Sequence, residues 1–88
     1  MENTSPTPWY VYIVVCADGT LYTGCTNNVE KRVNTHNKGK GAAYTRSRLP
    51  VNLIYVEERE SKSAALKREH EIKKLSRFAK LAIINKEN

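Results

Sequence analysis

Apolar residues fall in short clusters separated by polar stretches. The first cluster, Trp9 to Cys16 (WYVYIVVC), is aromatic and β-branched throughout, the composition of a well-buried strand. Ala17-Asp18-Gly19 reads as a turn and Leu21 to Cys25 (LYTGC) as the returning strand. Two registers are open to this hairpin. A two-residue Asp-Gly turn puts Tyr12 and Tyr22 on opposite faces. A three-residue loop, type I with Gly19 in the left-handed region, pairs Cys16 with Thr20 and brings both tyrosines to one face. Beyond the hairpin, Asn27 or Asn28 can cap a helix running to about Asn37, with Val29 and Val33 as its apolar stripe. Asn37 to Pro50 (NKGKGAAYTRSRLP) reads as a loop, and Val51 to Glu57 (VNLIYVE) as a third strand. Ser61 or Ser63 caps a second helix through Leu75. Ser76 opens a third, with Phe78, Leu81 and Ala82 on one side. Trp9 and Phe78 are most simply core residues.

The pattern predicts an α/β (α+β) domain: a small, three-stranded, mainly antiparallel sheet flanked by helices. A chain of 88 residues supports one such unit, with residues 1–8 as a flexible lead-in, 9–85 as the domain and 86–88 as a tail. It is too short for a two-domain cleft, a dinucleotide-binding fold or an eight-stranded barrel. No apolar run approaches the ~18–20 residues of a membrane span, and the polar start carries no signal pattern, so a cytoplasmic protein without membrane contact is expected.

Charge adds a partner class. The formal net charge is +6, with four Lys/Arg against three Asp/Glu in residues 1–44 and eleven against six in 45–88. Lys38, Lys40, Arg46 and Arg48 lie in a stretch with no acid between Lys31 and Glu57. A cationic segment of this kind favours a polyanion, nucleic acid above all; the competing reading is a solvated surface. Tyr44, Thr45, Arg46 and Arg48 read as a gripping loop, with Tyr44 as a stacking surface. Cysteine chemistry adds little. Cys16 and Cys25 form no metal-binding pair, and on the hairpin reading they stand roughly 15 Å apart, beyond disulfide reach.

Helix geometry singles out further residues. Arg32 and His36 are four apart and lie beside the Val29–Val33 stripe. On the second helix Ala65, Leu66 and Ile72 mark the buried side, and Glu69 falls among them. A carboxylate there must be paired, metal-bound or at the mouth of a cleft. A structural Glu69–Arg salt bridge is the plain alternative.

Tyr12, Tyr22, Arg32, His36 and Glu69 in this order resemble the GIY-YIG nuclease domain. Tyr10-Val11-Tyr12 stands where the first signature triplet belongs and Tyr22-Thr23-Gly24 where the second does. YTGCTNNVEKR carries the family's arginine at Arg32, with His36 one turn later, and AALKREHEIKKL its glutamate at Glu69. The resemblance runs from about Trp9 to Lys80 and is strongest to small standalone members. Departures are Tyr10 for the first glycine, Thr23 for the second isoleucine, and Cys25 where some members carry lysine.

The resemblance implies hydrolysis of DNA phosphodiesters, in repair or recombination, assisted by one divalent ion, Mg²⁺ or Mn²⁺. Glu69 is then the metal ligand. Arg32 binds the scissile phosphate through its planar fork. His36 contacts phosphate or the tyrosine pair. Tyr12 and Tyr22 orient or deprotonate the attacking water; which of them is the base stays open, with Tyr12 preferred. A phenol, whose ordinary pKa is about 10, needs help to act as a base at neutral pH. This site needs both tyrosines on one sheet face, which favours the three-residue loop. Single-stranded, duplex and branched DNA are all candidate substrates, and RNA is a further one. The rival reading is a module that grips nucleic acid through Lys38 to Arg48 without cutting it.

Overall fold

The computed structural model describes residues 8–86, and its sheet is built around the first strand. The elements are β1 (Trp9–Val15), β2 (Leu21–Thr26), α1 (Val29–Asn37), α2 (Ala43–Arg46), β3 (Asn52–Arg59), α3 (Lys62–Lys73) and α4 (Arg77–Lys86). The expected lead-in and tail lie outside the described residues, apart from Pro8 and Lys86. Strand order is β2-β1-β3, antiparallel throughout. Among the described residues no helix is long and apolar enough to cross a membrane.

The loop between β1 and β2 is the three-residue one. Cys16 N bonds to Thr20 O at 2.8 Å, Gly19 N bonds to Cys16 O at 2.9 Å, and Gly19 takes φ +86°. That geometry suits glycine and pairs Val14 with Tyr22 and Tyr12 with Gly24. Asp18 accepts from the backbone N and the hydroxyl of Thr20, and this bonding holds its carboxyl below the usual range.

Being central, β1 is covered on both faces, so its run of apolar residues serves two cores rather than one. Val11 and Ile13 point to one face and pack with Tyr55, Ala65, Ile72 and Ile84, which brings α3 and α4 onto that side. Tyr12 and Val14 point to the other, where Cys16 and Val51 join them and Tyr22, Val33 and Leu49 pack alongside. Each fully buried aliphatic side chain contributes about 1.5–3 kcal/mol.

Caps fix where the helices start. Asn28 Oδ1 accepts from Lys31 N at 3.1 Å ahead of α1, and Ser61 Oγ accepts from Ala64 N at 3.1 Å ahead of α3. The Asn37 side chain then clasps the backbone of Val51, accepting from its N at 2.7 Å and donating to its O at 3.1 Å. This clasp draws the two ends of the 38–50 segment together. Within that segment the expected plain loop contains α2, a single helical turn.

Two placements correct the sequence reading. Phe78, expected in the core, is 83% exposed, because α4 buries Ile84 and packs Leu81 and Ile83 instead. Leu66 is 47% exposed; Ala65 and Ile72 alone carry the buried side of α3. Trp9 packs on the core as expected.

Candidate active site

Three elements converge on Tyr12. The side chain rises from β1 over Gly24, where a Cβ would come within 2.5 Å of the Tyr12 hydroxyl. Only the absent side chain lets the ring pass. Its hydroxyl lies 2.8 Å from His36 Nε2 and accepts from Arg32 Nε at 3.4 Å, both from α1. His36 is fully buried, and its Nδ1 lies 2.9 Å from Thr45 Oγ1 on α2. Thr45 in turn donates to Ala42 O at 3.0 Å.

This chain of bonds has one consistent polarity. Because the Thr45 hydroxyl gives its proton to a carbonyl, it accepts from His36 Nδ1–H. His36 is therefore the Nδ1–H tautomer, its Nε2 accepts from the Tyr12 O–H, and the Tyr12 oxygen is left to accept from Arg32. Burial, assisted by the Arg32 charge, lowers the His36 pKa and keeps the ring neutral. Burial also pushes the Tyr12 phenol up to about 12, overriding the downward pull of its Arg32 bond. Tyr12 keeps its proton at neutral pH.

Tyr22 sits at the mouth of the same face, half-buried. Its ring meets His36 edge-on at 5.3 Å between centroids and stacks on Tyr44 at 5.9 Å. The Tyr12 hydroxyl chiefly raises the Arg32 pKa, with Tyr22 contributing, so both phenols attend one guanidinium.

Glu69 approaches from the opposite side of the sheet, around the β2 edge. Its side chain is 16% exposed and pairs with Lys73 Nζ at 2.7 Å. The salt-bridge partner is thus a lysine one turn on in α3, not an arginine. Lys73 is also 5.7 Å from the centre of the Tyr22 ring, so one ammonium stands between carboxylate and phenol. The Cys25 thiol, on β2, bonds to Glu69; burial first and this bond second push it up to about 12. Both cysteines are free.

Among the described residues no three His, Cys, Asp or Glu side chains group as a ready metal cage. A single carboxylate at a partly exposed edge nevertheless fits a hydrated Mg²⁺, which keeps several waters, takes one or two protein oxygens and would compete with Lys73 for this one. Glu69 is the residue that would hold it.

The cationic loop is less uniform than its sequence. Lys38, Lys40 and Arg46 are exposed. Thr45, expected on the gripping surface, is fully buried and holds His36. Arg48 is committed internally: it pairs with Asp18 at 3.1 Å, donates to Tyr44 O at 2.7 Å and lies 4.1 Å from the centre of the Tyr44 ring. Tyr44 itself is 40% exposed. Sequence reasoning missed Lys73, which an i,i+4 partner to Glu69 could have flagged. It also missed Gly41, whose lack of a side chain makes room for the His36 ring.

The order of these residues along the chain has a counterpart among known proteins. The family model described as the GIY-YIG catalytic domain matches residues 8–87. The chain belongs to the GIY-YIG family. A UPF0213 protein of Natronomonas pharaonis is 59% identical over 75 residues, covering 85% of this chain and 88% of that protein. A UPF0213 protein of Staphylococcus haemolyticus is 60% identical over 85% of this chain and 92% of its own. The solution NMR structure of a UPF0213 protein from Bacillus halodurans superposes with a TM-score of 0.58 at 44% identity, covering 89% of this chain and 83% of that one. This GIY-YIG domain thus shares its fold with small single-domain relatives.

Proposed function

We propose that the chain is a metal-dependent endonuclease that hydrolyses DNA phosphodiesters at the β2 edge. The observation that carries this reading is convergence: Tyr12, Tyr22, Arg32 and His36 meet on one face, and Lys73 links Tyr22 to Glu69 from the other.

In this reading the Arg32 guanidinium, already oriented by the Tyr12 oxygen, binds the scissile phosphate and balances charge that builds on its oxygens. Glu69 would hold one divalent cation, Mg²⁺ or Mn²⁺, which when bound would supply the charge to polarise the phosphoryl group and favour the departing oxygen. Tyr12 serves as a fixed support for Arg32, since a buried phenol donating to His36 is poorly placed to take a proton. The base role therefore passes to Tyr22, which is nearer solvent, meets the His36 ring edge-on and has the Lys73 ammonium 5.7 Å from its ring centre. His36 and Thr45 orient Tyr12 from behind and touch no substrate. Lys38, Lys40 and Arg46 grip flanking phosphates.

Purified protein incubated with labelled single-stranded, duplex and branched DNA, and with RNA, in Mg²⁺, Mn²⁺ or EDTA, tests the reading beside Glu69→Gln. Cutting of DNA that needs both the metal and Glu69 is the expected result. Cutting that survives chelation or the substitution removes the metal role, and binding without cutting in every arm replaces the nuclease by a nucleic-acid-binding module.

A further inference from the structure

Phe78 is the most exposed large apolar side chain among the described residues, at 83%. The helix that carries it is already anchored: Ile84 is buried, and Leu81 and Ile83 pack on the core, so Phe78 projects from α4 on a side the fold does not need. Its neighbours along the chain are cationic. From Ile72 to Lys86 the sequence holds Lys73, Lys74, Arg77, Lys80 and Lys86 and no acid.

This patch adjoins the candidate active site. Arg77 Nη1 donates to Gly19 O at 2.8 Å, fastening the start of α4 to the hairpin turn. Thr20, Leu21, Arg77 and Lys80 line a shallow pocket of about 180 Å³ there, and Leu21 immediately precedes Tyr22. On the other side Lys73 pairs with Glu69. Along the chain Lys73, Lys74 and Arg77 therefore lie between Glu69 and Phe78.

We propose that Phe78 and the cations around it form a stacking platform for an unpaired base of the DNA strand that enters the site. The inference rests on the nuclease reading and narrows its substrate class to DNA with a single-stranded segment. Ammonium and guanidinium groups follow the phosphates while an open aromatic face takes a base. In a continuous duplex both faces of each base are covered by neighbours, so the ring discriminates in favour of unpaired positions. A net charge of +6 disfavours the competing use of Phe78 as a contact between two copies.

Binding is measured by fluorescence anisotropy in EDTA, so that no strand is cut. The ligands are a dye-labelled unpaired oligodeoxynucleotide carrying one 2-aminopurine and its fully duplex form; the proteins are the unsubstituted chain, Phe78→Ala and Phe78→Tyr. Expected is an affinity for the unpaired strand at least about fivefold weaker in Phe78→Ala, recovery in Phe78→Tyr, unchanged duplex binding, and 2-aminopurine quenching that Phe78→Ala loses. Equal unpaired-strand affinities, or equal losses on both ligands, overturn the platform. So does sedimentation showing a dimer that Phe78→Ala dissociates. Phe78-independent binding by a chain that cuts DNA in Mg²⁺ sinks the platform alone; Phe78-dependent binding by a chain that never cuts sinks the nuclease reading alone.

Discussion

The Tyr12 hydroxyl and His36 Nε2, 24 positions apart in sequence, lie 2.8 Å from one another, and both side chains are almost wholly shielded from solvent. A polar pair of this kind specifies structure as much as chemistry, because each group would be costly to bury alone.

Replacing His36 by Leu should therefore cost about 1–3 kcal/mol or more, by stranding the Tyr12 O–H and taking a donor from the Thr45 oxygen. The same variant should change the pH dependence of folding. The unfolded histidine titrates near 6.5, whereas burial and Arg32 keep the folded one lower. Between those two values the unfolded state carries the extra proton, so the contribution of His36 is complete above about 6.5 and is lost as pH falls toward the folded value. Thermal unfolding followed from about pH 8 to pH 5 should show this slope in the unsubstituted chain and a shallower one in His36→Leu. Parallel slopes would show that His36 titrates alike in the folded and unfolded chains.

Gly24 and Gly41 each leave the space that one member of the pair fills. A Cβ on Gly24 would come 2.5 Å from the Tyr12 hydroxyl, and one on Gly41 would collide with His36 Nδ1. Neither ring can swing aside without breaking the bond to the other. Gly24→Ala and Gly41→Ala should each destabilise by about 1–3 kcal/mol. Because both press on one hydrogen bond, the double variant should cost less than the sum. Denaturant unfolding of the three variants checks this, and strict additivity would mean that the two glycines act on unconnected structure.

Thr23 offers the opposite sign. It is 3% exposed, and its hydroxyl has no hydrogen-bond partner among the described residues. It stands where the family resemblance places isoleucine. Thr23→Val keeps the shape and removes the stranded hydroxyl, so it should stabilise the fold by about 1 kcal/mol, raising Tm by about 4–8 °C for a domain of this size. A drop in Tm would reveal a partner for the hydroxyl.

Local rules explain what the sequence made legible. Gly19, with its positive φ, sets a three-residue turn, and the turn alone decides that Tyr12 and Tyr22 share a face. Asn28 and Ser61 are caps in sequence and in structure. The family's ordered residues then point to Arg32, His36 and Glu69. The misreadings need tertiary information. Thr45 belongs to a polar, glycine-containing segment that looks solvated until His36 claims its hydroxyl. Phe78 looks like core because an apolar stripe on α4 cannot say which of its members the sheet will cover. Cys25, where some family members carry lysine, gives no sign that the cation beside Glu69 is Lys73, one turn on in α3.

The loop cations separate in the same way. Lys38, Lys40 and Arg46 are exposed, whereas Arg48 is held by Asp18, the Tyr44 carbonyl and the Tyr44 ring. If the first three grip phosphate, replacing each by Ala should weaken the salt dependence of DNA binding by about 0.9 per contact on duplex and about 0.7 on single strands. Arg48→Ala should leave that slope nearly unchanged. It should instead lower stability by up to about 1 kcal/mol, since an exposed ion pair contributes little, and free Tyr44 from its guanidinium cover. Titrations of binding against salt, run beside thermal unfolding, distinguish the two classes. A full unit lost from the slope in Arg48→Ala, with Tm intact, would mean that this guanidinium leaves Asp18 to meet the strand.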